Sequence, residues 1–333
     1  MELQYSIIIP VYNRPEEIDE LLESLTQQAY DKSYEIVIVE DGSNNTSESV
    51  IKKYELSLNI SYFFKENSGP GDSRNYGMRH AKGNYFIILD SDCILPPEYL
   101  LEADTALRKN YVDCFGGPDA AHESFTSLQK AISYAMTSFL TTGGIRGHKN
   151  AVDKFQPRSF NMGISKAAFE KTNGFGKIHP GEDPDLTIRI WKAGYKTSFV
   201  EKAFVYHKRR ISWKKFYKQV NKFGLARPIL NKWHPKTKKI TYWFPGFFII
   251  GLIASVFFAF FISNIPILFY VAYFLILFFD SLIKNRNLAI AVLSIFAVLI
   301  QFFGYGYGFL RSFFLLKLSK QEPANLLPEL FFD

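Results

Sequence analysis

Short apolar runs alternate with amphipathic stretches over the first ninety residues. Residues Tyr5–Val11 are apolar apart from Tyr5 and Ser6 and read as a buried strand. Residues 16–28 set Ile18, Leu21, Leu22 and Leu25 on one helical face, and 35–39 return to strand. The alternation continues through a helix over 46–54, a strand over 60–64, a helix over 72–81 and a strand over 85–89. Strands and helices in this order predict a parallel sheet with helices on both faces. Ligands of such sheets bind beyond the carboxyl ends of the strands. Polar residues stand at those ends: Asn13 after the first, Glu40 and Asp41 after the second, Glu66 and Asn67 after the third, Asp90 and Asp92 after the fourth.

The pattern changes after residue 240. Residues 240–279 form forty consecutive positions without a charge, and 288–310 another twenty-three. About 20 apolar residues span the roughly 30 Å of bilayer hydrocarbon. Residues 244–262 supply one such span, the breaking stretch Ser263-Asn264-Ile265-Pro266 turns the chain, and 267–283 supply a second. After the loop Lys284-Asn285-Arg286-Asn287, residues 288–310, extended to Leu316 at most, supply a third. A further stripe over 125–140, with Phe125, Leu128, Ile132, Ala135, Met136 and Phe139 at helical spacing, suits either packing on the protein's own core or an interfacial helix.

Charge divides the chain the same way. Residues 1–201 carry a net charge of −7, residues 202–239 hold 13 Lys and Arg with no acid, and 240–333 hold 5 against 4. Basic residues flank cytoplasmic ends of spans, so region 1–239 is expected in the cytoplasm. Three crossings would then leave the tail outside, although Arg311, Lys317 and Lys320 mark it as cytoplasmic, and a re-entrant or interfacial third segment is the other topology. The start of the chain lacks the basic n-region of a signal peptide. Among the basic residues, Phe204, Tyr206, Trp213, Phe216, Tyr217, Phe223 and Trp233 suit a surface at the level of lipid headgroups rather than a nucleic-acid partner. The two cysteines, Cys93 and Cys114, make neither a disulfide framework nor a zinc motif and suit a reducing compartment.

Asp90-Ser91-Asp92 carries the first chemistry. Two carboxylates at i and i+2 beyond an apolar strand can offer hard oxygen ligands to one Mg²⁺ or Mn²⁺. The same tripeptide also suits an ordinary turn. The order of four blocks is more specific: Ile7-Ile8-Ile9-Pro10-Val11-Tyr12-Asn13, then Val39-Glu40-Asp41-Gly42-Ser43, then Gly71-Asp72-Ser73-Arg74-Asn75-Tyr76-Gly77, then Leu89-Asp90-Ser91-Asp92. Over residues 4–230 this order resembles the family 2 glycosyltransferases. Within the family it is similar to membrane-anchored enzymes of the succinoglycan-biosynthesis type, which build surface polysaccharides on lipid carriers.

The resemblance implies a fold and a site. The fold is α/β, a GT-A (Rossmann-like) nucleotide-sugar domain with a mostly parallel central sheet over 1–230, followed by transmembrane helices over 241–316 and a tail over 317–333, with the basic segment 202–240 between. It implies that Asp41 contacts the nucleoside base, that Pro10, Tyr12 and Asn13 line its pocket, and that Arg74, Asn75, Asp90 and Ser91 face the donor, Ser73 replacing the family's usual alanine. Taken alone, Asp41 would also serve to cap its turn. Asp92 matches the metal ligand, with Asp90 assisting and His207 falling where related enzymes place a histidine on Mn²⁺ or Mg²⁺; a plain surface histidine is the other reading. Asn161-Met162-Gly163 resembles a loop closing over the donor sugar.

Gly181-Glu182-Asp183-Pro184-Asp185 opens a helix, where carboxylates favour the dipole. The block matches the family's ED motif, which implies Asp183 as catalytic base and Glu182 as its neighbour, with Asp185 the weaker candidate. Lys208, Arg209 and Arg210 would clamp a diphosphate or face headgroups. Gln219-Val220-Asn221-Lys222-Phe223 lacks the QxxRW motif of processive synthases, so a single addition is expected. The implied partners are a nucleotide-diphosphate sugar, a lipid-linked or glycan acceptor and membrane lipid, at the inner or plasma membrane. A transferase acting on polyprenyl phosphate, or an inactive scaffold, would keep the same fold.

Overall fold

The computed structural model describes residues 2–143 and 155–332. They form two compact units: residues 2–122, 155–208 and Phe332 in one, residues 123–143 and 209–331 in the other. The division falls at Lys208, whereas the family resemblance draws the first domain to 230.

The first unit is built on ten strands: β1 (Tyr5–Val11), β2 (Glu35–Asp41), β3 (Ile60–Lys65), β4 (Tyr85–Leu89), β5 (Cys93–Ile94), β6 (Cys114–Gly116), β7 (Asp119–Ala120), β8 (Asn161–Ser165), β9 (Thr197–Phe199) and β10 (Val205–His207). Seven of them make one sheet in the order β3-β2-β1-β4-β8-β6-β9. Pairs β3-β2, β2-β1, β1-β4 and β6-β9 are parallel, while β8 runs antiparallel to β4 and β6. Every residue of β1 and β2 is buried, as strands covered on both faces require. Side chains alternate across the sheet: Ile7, Ile9, Ile36 and Ile38 meet Ile18, Leu21, Leu22 and Leu25 of helix Pro15–Thr26, whereas Ile8, Val37 and Val39 meet Met78 of helix Pro70–His80. A Cβ on Gly77 would stand 2.7 Å from Ile8 Cγ2, so a glycine here lets that helix lie close on the sheet. Strands β5, β10 and β7 form a separate small sheet.

Strands at 5–11 and 85–89 fall as the pattern predicts, but two expectations need correction. The helix expected over 46–54 is a single turn, Glu48–Ile51, followed by turns. Asn161-Met162-Gly163 is not a loop but the start of β8, laddered to β4 and β6. The buried Asn161 carboxamide accepts from Tyr99 Oη at 2.7 Å and donates to the Ala203 carbonyl at 2.8 Å, so its polar atoms serve the fold.

The second unit is helical. Helices Phe244–Phe261, Ile265–Asn285 and Leu288–Leu318 are each long and apolar enough to cross a membrane. The third continues unbroken past the expected end at 310–316; at about 1.5 Å per residue its 31 residues reach roughly 46 Å. It packs on helix Trp213–Trp233 through glycines one turn apart. A Cβ on Gly304 would meet Val220 Cγ2 at 2.7 Å, and one on Gly308 would meet the Asn221 carbonyl oxygen at 2.3 Å. Small residues at this spacing let backbones approach. Thus the basic helix joins the apolar ones, which is why the chain divides before it.

The stripe at 125–140 has the same destination. Helix Ser127–Thr137 buries Ile132, Ala135 and Met136 among Phe216, Val220, Leu277, Ala297, Val298 and Phe302, leaving Phe139 exposed at the far end.

Gly308→Ala is expected to lower the melting temperature of the full chain by several degrees, because its Cβ meets backbone that cannot rotate away, a strain of about 1–3 kcal/mol. Gly246→Ala, whose Cβ would meet nothing nearer than 3.6 Å, is expected to melt like the parent; equal melting of both variants would contradict the packing described.

Candidate active site

The carboxyl ends of β2 and β4 supply Asp41, Asp90 and Asp92, and the end of β1 supplies Asn13 and Arg14, as the strand-end rule requires. Asp41, the last residue of β2, is buried. Its Oδ1 accepts from Lys65 Nζ at 2.6 Å and from Ser68 N at 3.0 Å, and its Oδ2 accepts from Gly69 N at 3.0 Å. It therefore holds the turn that opens helix Pro70–His80, a segment some thirty residues on, rather than its own turn. Gly69 sits at φ 91°, a backbone conformation that favours glycine. Asn13, at φ 52°, accepts from Asn44 N and Asn45 N at 2.9 and 3.0 Å, fixing the loop beyond β2, while Pro10 is buried in β1 and Tyr12 is exposed.

Arg74 is the centre of the charged network. Its guanidinium is buried and donates to Asp90 Oδ1 at 2.6 Å and to Glu182 Oε1 at 3.2 Å, with the Phe175 ring 5.3 Å away. One side chain thus ties the β4 turn to the start of helix Glu182–Lys192. Asn75 beside it exchanges two hydrogen bonds with the Phe175 backbone, at 2.9 and 2.8 Å, and holds the chain leading to that helix.

Glu182 is buried and also meets His179 Nδ1 at 2.8 Å. Burial pushes its carboxyl up, but His179 and Arg74 outweigh that and hold it at about 2. His179 moves the other way: burial lowers it, and the Glu182 carboxylate raises it by more. Asp183, half-buried, is raised above the ordinary carboxylate range by burial first and then by Glu182, with Arg158 and Arg74 opposing. Two adjacent carboxyls are thereby shifted in opposite directions. Asp185 is tied to Arg189 at 2.8 Å, and Arg189 in turn donates to the Thr172 and Gly174 carbonyls, a structural assignment.

The small sheet brings in the last group. Pairing of β10 with β5 sets His207 opposite Cys93, and places its Nε2 3.2 Å from Asp92 Oδ1. The ligand atoms of Asp92, Cys93 and His207 lie within 4.8 Å of one another. His207 Nδ1 is buried, with no hydrogen-bond partner among the described residues, and the ring stacks on Phe160 at 4.5 Å. A carboxylate and an imidazole can together hold one divalent cation, and Arg14 places its guanidinium against Asp92. Asp90, expected to assist beside Asp92, pairs with Arg74 at 2.6 Å. Ser91 is buried between them. Lys208 pairs with Glu20 at 2.6 Å.

Arg14 and His179 were not singled out by the sequence pattern. Arg14 adjoins Asn13, and its position next to the β1 end is the one available signal; His179 lies in an irregular approach to its helix, with no periodicity to mark it.

Residues 6–171 match the Glycosyl transferase family 2 model, so the chain carries a family 2 glycosyltransferase domain. Over 114 residues it is 32% identical to the poly(ribitol-phosphate) beta-N-acetylglucosaminyltransferase TarS of Staphylococcus aureus, covering 33% of this chain and 20% of that protein. Over 219 residues it is 26% identical to the glycosyltransferase AglE of Haloferax volcanii, covering 62% of this chain and 67% of that one. The chain spans between a fifth and a third of the length of the first curated relatives it matches. The mannosyltransferase PcManGT of Pyrobaculum calidifontis, solved in complex with GDP-Man and Mn²⁺, is 16% identical, with a TM-score of 0.56 over 97% of this chain and 89% of that one, a likeness of fold. The fold is GT-A-like, and the domain and its relatives support a glycosyltransferase enzyme.

Arg74→Met would leave Glu182 and Asp90 without their shared counter-charge. It is expected to cost about 3–5 kcal/mol, read as a fall in melting temperature, and Arg74→Lys should not restore it because one ammonium cannot span both carboxylates. A melting temperature unchanged in Arg74→Met would remove the residue from its central position.

Proposed function

We propose that this chain moves one sugar from a nucleoside-diphosphate sugar onto a lipid-linked glycan, with inversion at the anomeric carbon. The observation that carries this reading is the unbroken chain of contacts Asp90–Arg74–Glu182–His179, which brings the DxD turn and the ED helix together from ninety residues apart. In the reaction the acceptor hydroxyl oxygen bonds to the anomeric carbon, the bond from that carbon to the diphosphate oxygen breaks, and the hydroxyl proton passes to Asp183. The raised Asp183 carboxyl makes it a stronger base than an ordinary aspartate. Glu182, fixed by Arg74 and His179, stays ionised and sets the base's basicity.

A divalent cation on Asp92 and His207 supplies, when bound, positive charge to the departing nucleoside diphosphate. Mn²⁺ is the proposed ion, and Arg14 is the group that must yield Asp92 to it. Asp41 with its Lys65-Ser68-Gly69 turn, beside Pro10, Tyr12 and Asn13, is the proposed nucleoside end, and Arg74, Asn75 and Ser91 the proposed floor beneath the sugar. The basic helix Trp213–Trp233, packed on the third apolar helix, supports a membrane-bound acceptor of the polysaccharide-building type, with the α/β unit in the cytoplasm.

Three experiments test this. Asp183→Asn should abolish transfer, by at least about 10²-fold, while donor binding in detergent is kept; loss of both together would remove Asp183 as base. Because the base must be ionised, activity should rise with pH through a midpoint above the ordinary aspartate value. Glu182→Gln, which removes the adjacent negative charge, should move that acidic limb to lower pH. Binding of Mn²⁺, followed by the electron-spin resonance of the free ion, should be lost in Asp92→Ala. In Arg14→Gln it should tighten about fivefold, the equivalent of an ion pair worth ~1 kcal/mol. Unchanged Mn²⁺ binding in Asp92→Ala would overturn the metal assignment.

A further inference from the structure

Phe332 lies beyond the three apolar helices, yet it belongs to the α/β unit. Its backbone N–H donates to the Lys177 carbonyl at 3.1 Å. Its ring covers Gly69 so closely that a Cβ there would fall 2.4 Å from Phe332 Cγ, and it stands 6.1 Å from the His179 ring. Gly69 is the residue whose N–H holds Asp41, and His179 is the residue that holds Glu182. The same ring forms part of the wall of a cavity of about 280 Å³, shared with Asn75, Lys177 and His179.

We propose that Phe332 is a positioning residue of the transferase site: it presses the Asp41-bound turn and the His179 approach into register, so that the nucleoside end and the ED end are set together by one ring. This rests on the reading of the function given above. It also requires the chain to return, after the third apolar helix, to the side of the membrane that holds the α/β unit. The number of full crossings is then even.

The test uses the full chain in detergent with Mn²⁺. UDP and GDP are the binding probes, and transfer is measured with native lipid extract. Phe332→Ala should weaken binding of the preferred nucleoside diphosphate, and raise the donor KM, by about tenfold, while Phe332→Leu, which keeps an apolar wedge, should stay within about twofold of the parent. A Phe332→Ala protein that melts like the parent and keeps its donor KM overturns the proposal and leaves the transferase reading intact. A parent that binds neither UDP nor GDP overturns both.

Should Phe332→Ala fail to fold, sidedness decides. Glu322→Cys and Lys82→Cys, both at exposed positions and in a chain whose Cys93 and Cys114 are buried, are labelled in oriented membrane vesicles with an impermeant maleimide. Labelling from the same face supports the return of the chain, and labelling from opposite faces overturns it.

Discussion

The Arg74 guanidinium between Asp90 and Glu182 is the constraint on which the α/β unit's chemistry depends. A buried arginine needs counter-charge, and two carboxylates near it need a cation; each is tolerable only because the others are present. Burial would depress the guanidinium's proton affinity, but Asp90 and Glu182 raise it by more, so the group stays charged. The β4 turn and the ED helix therefore cannot drift apart without stranding a charge. Asn75, next along the same helix, fixes the approach to the ED block by backbone exchange with Phe175. One turn of helix Pro70–His80 thus positions both halves of the site.

The same arithmetic of charge divides neighbouring acids into different tasks. Asp90 is spent on Arg74, which leaves Asp92 to face Arg14 and His207. Glu182 is held ionised by two cationic partners, and its charge raises the proton affinity of Asp183. Asp185, one turn further into the helix, is used by Arg189 for structure. Adjacent carboxyls at Glu182 and Asp183 so shift in opposite directions because different groups face them.

In the helical unit the organising interaction is backbone contact rather than charge. Gly304 and Gly308 bring the third apolar helix against Val220 and Asn221 of a helix that the composition marks as basic. The apolar face of that helix, with Phe216, Val220, Ile229 and Leu230 buried, outweighs its lysines in deciding where it packs. Long lysine and arginine side chains keep their charge in water while their stems lie on apolar surface, so a basic helix and an apolar one are compatible neighbours.

By itself, the amino-acid sequence determined what depends on neighbours a few positions apart. Periodicity located β1, β4 and helix Pro70–His80 to within two residues, placed carboxylates at strand ends, and marked three apolar segments with their basic flanks. Those signals are local because side-chain direction repeats every two residues in a strand and every 3.6 in a helix. Tertiary structure alone decided which charge meets which. It brought Asp90 to Arg74, put Asn161 into a strand, set His207 against Asp92 through the register of β10 on β5, and placed Phe332 over Gly69. Such pairings join residues tens to hundreds of positions apart, and they follow from strand order, register and crossovers, which no periodicity along the chain encodes.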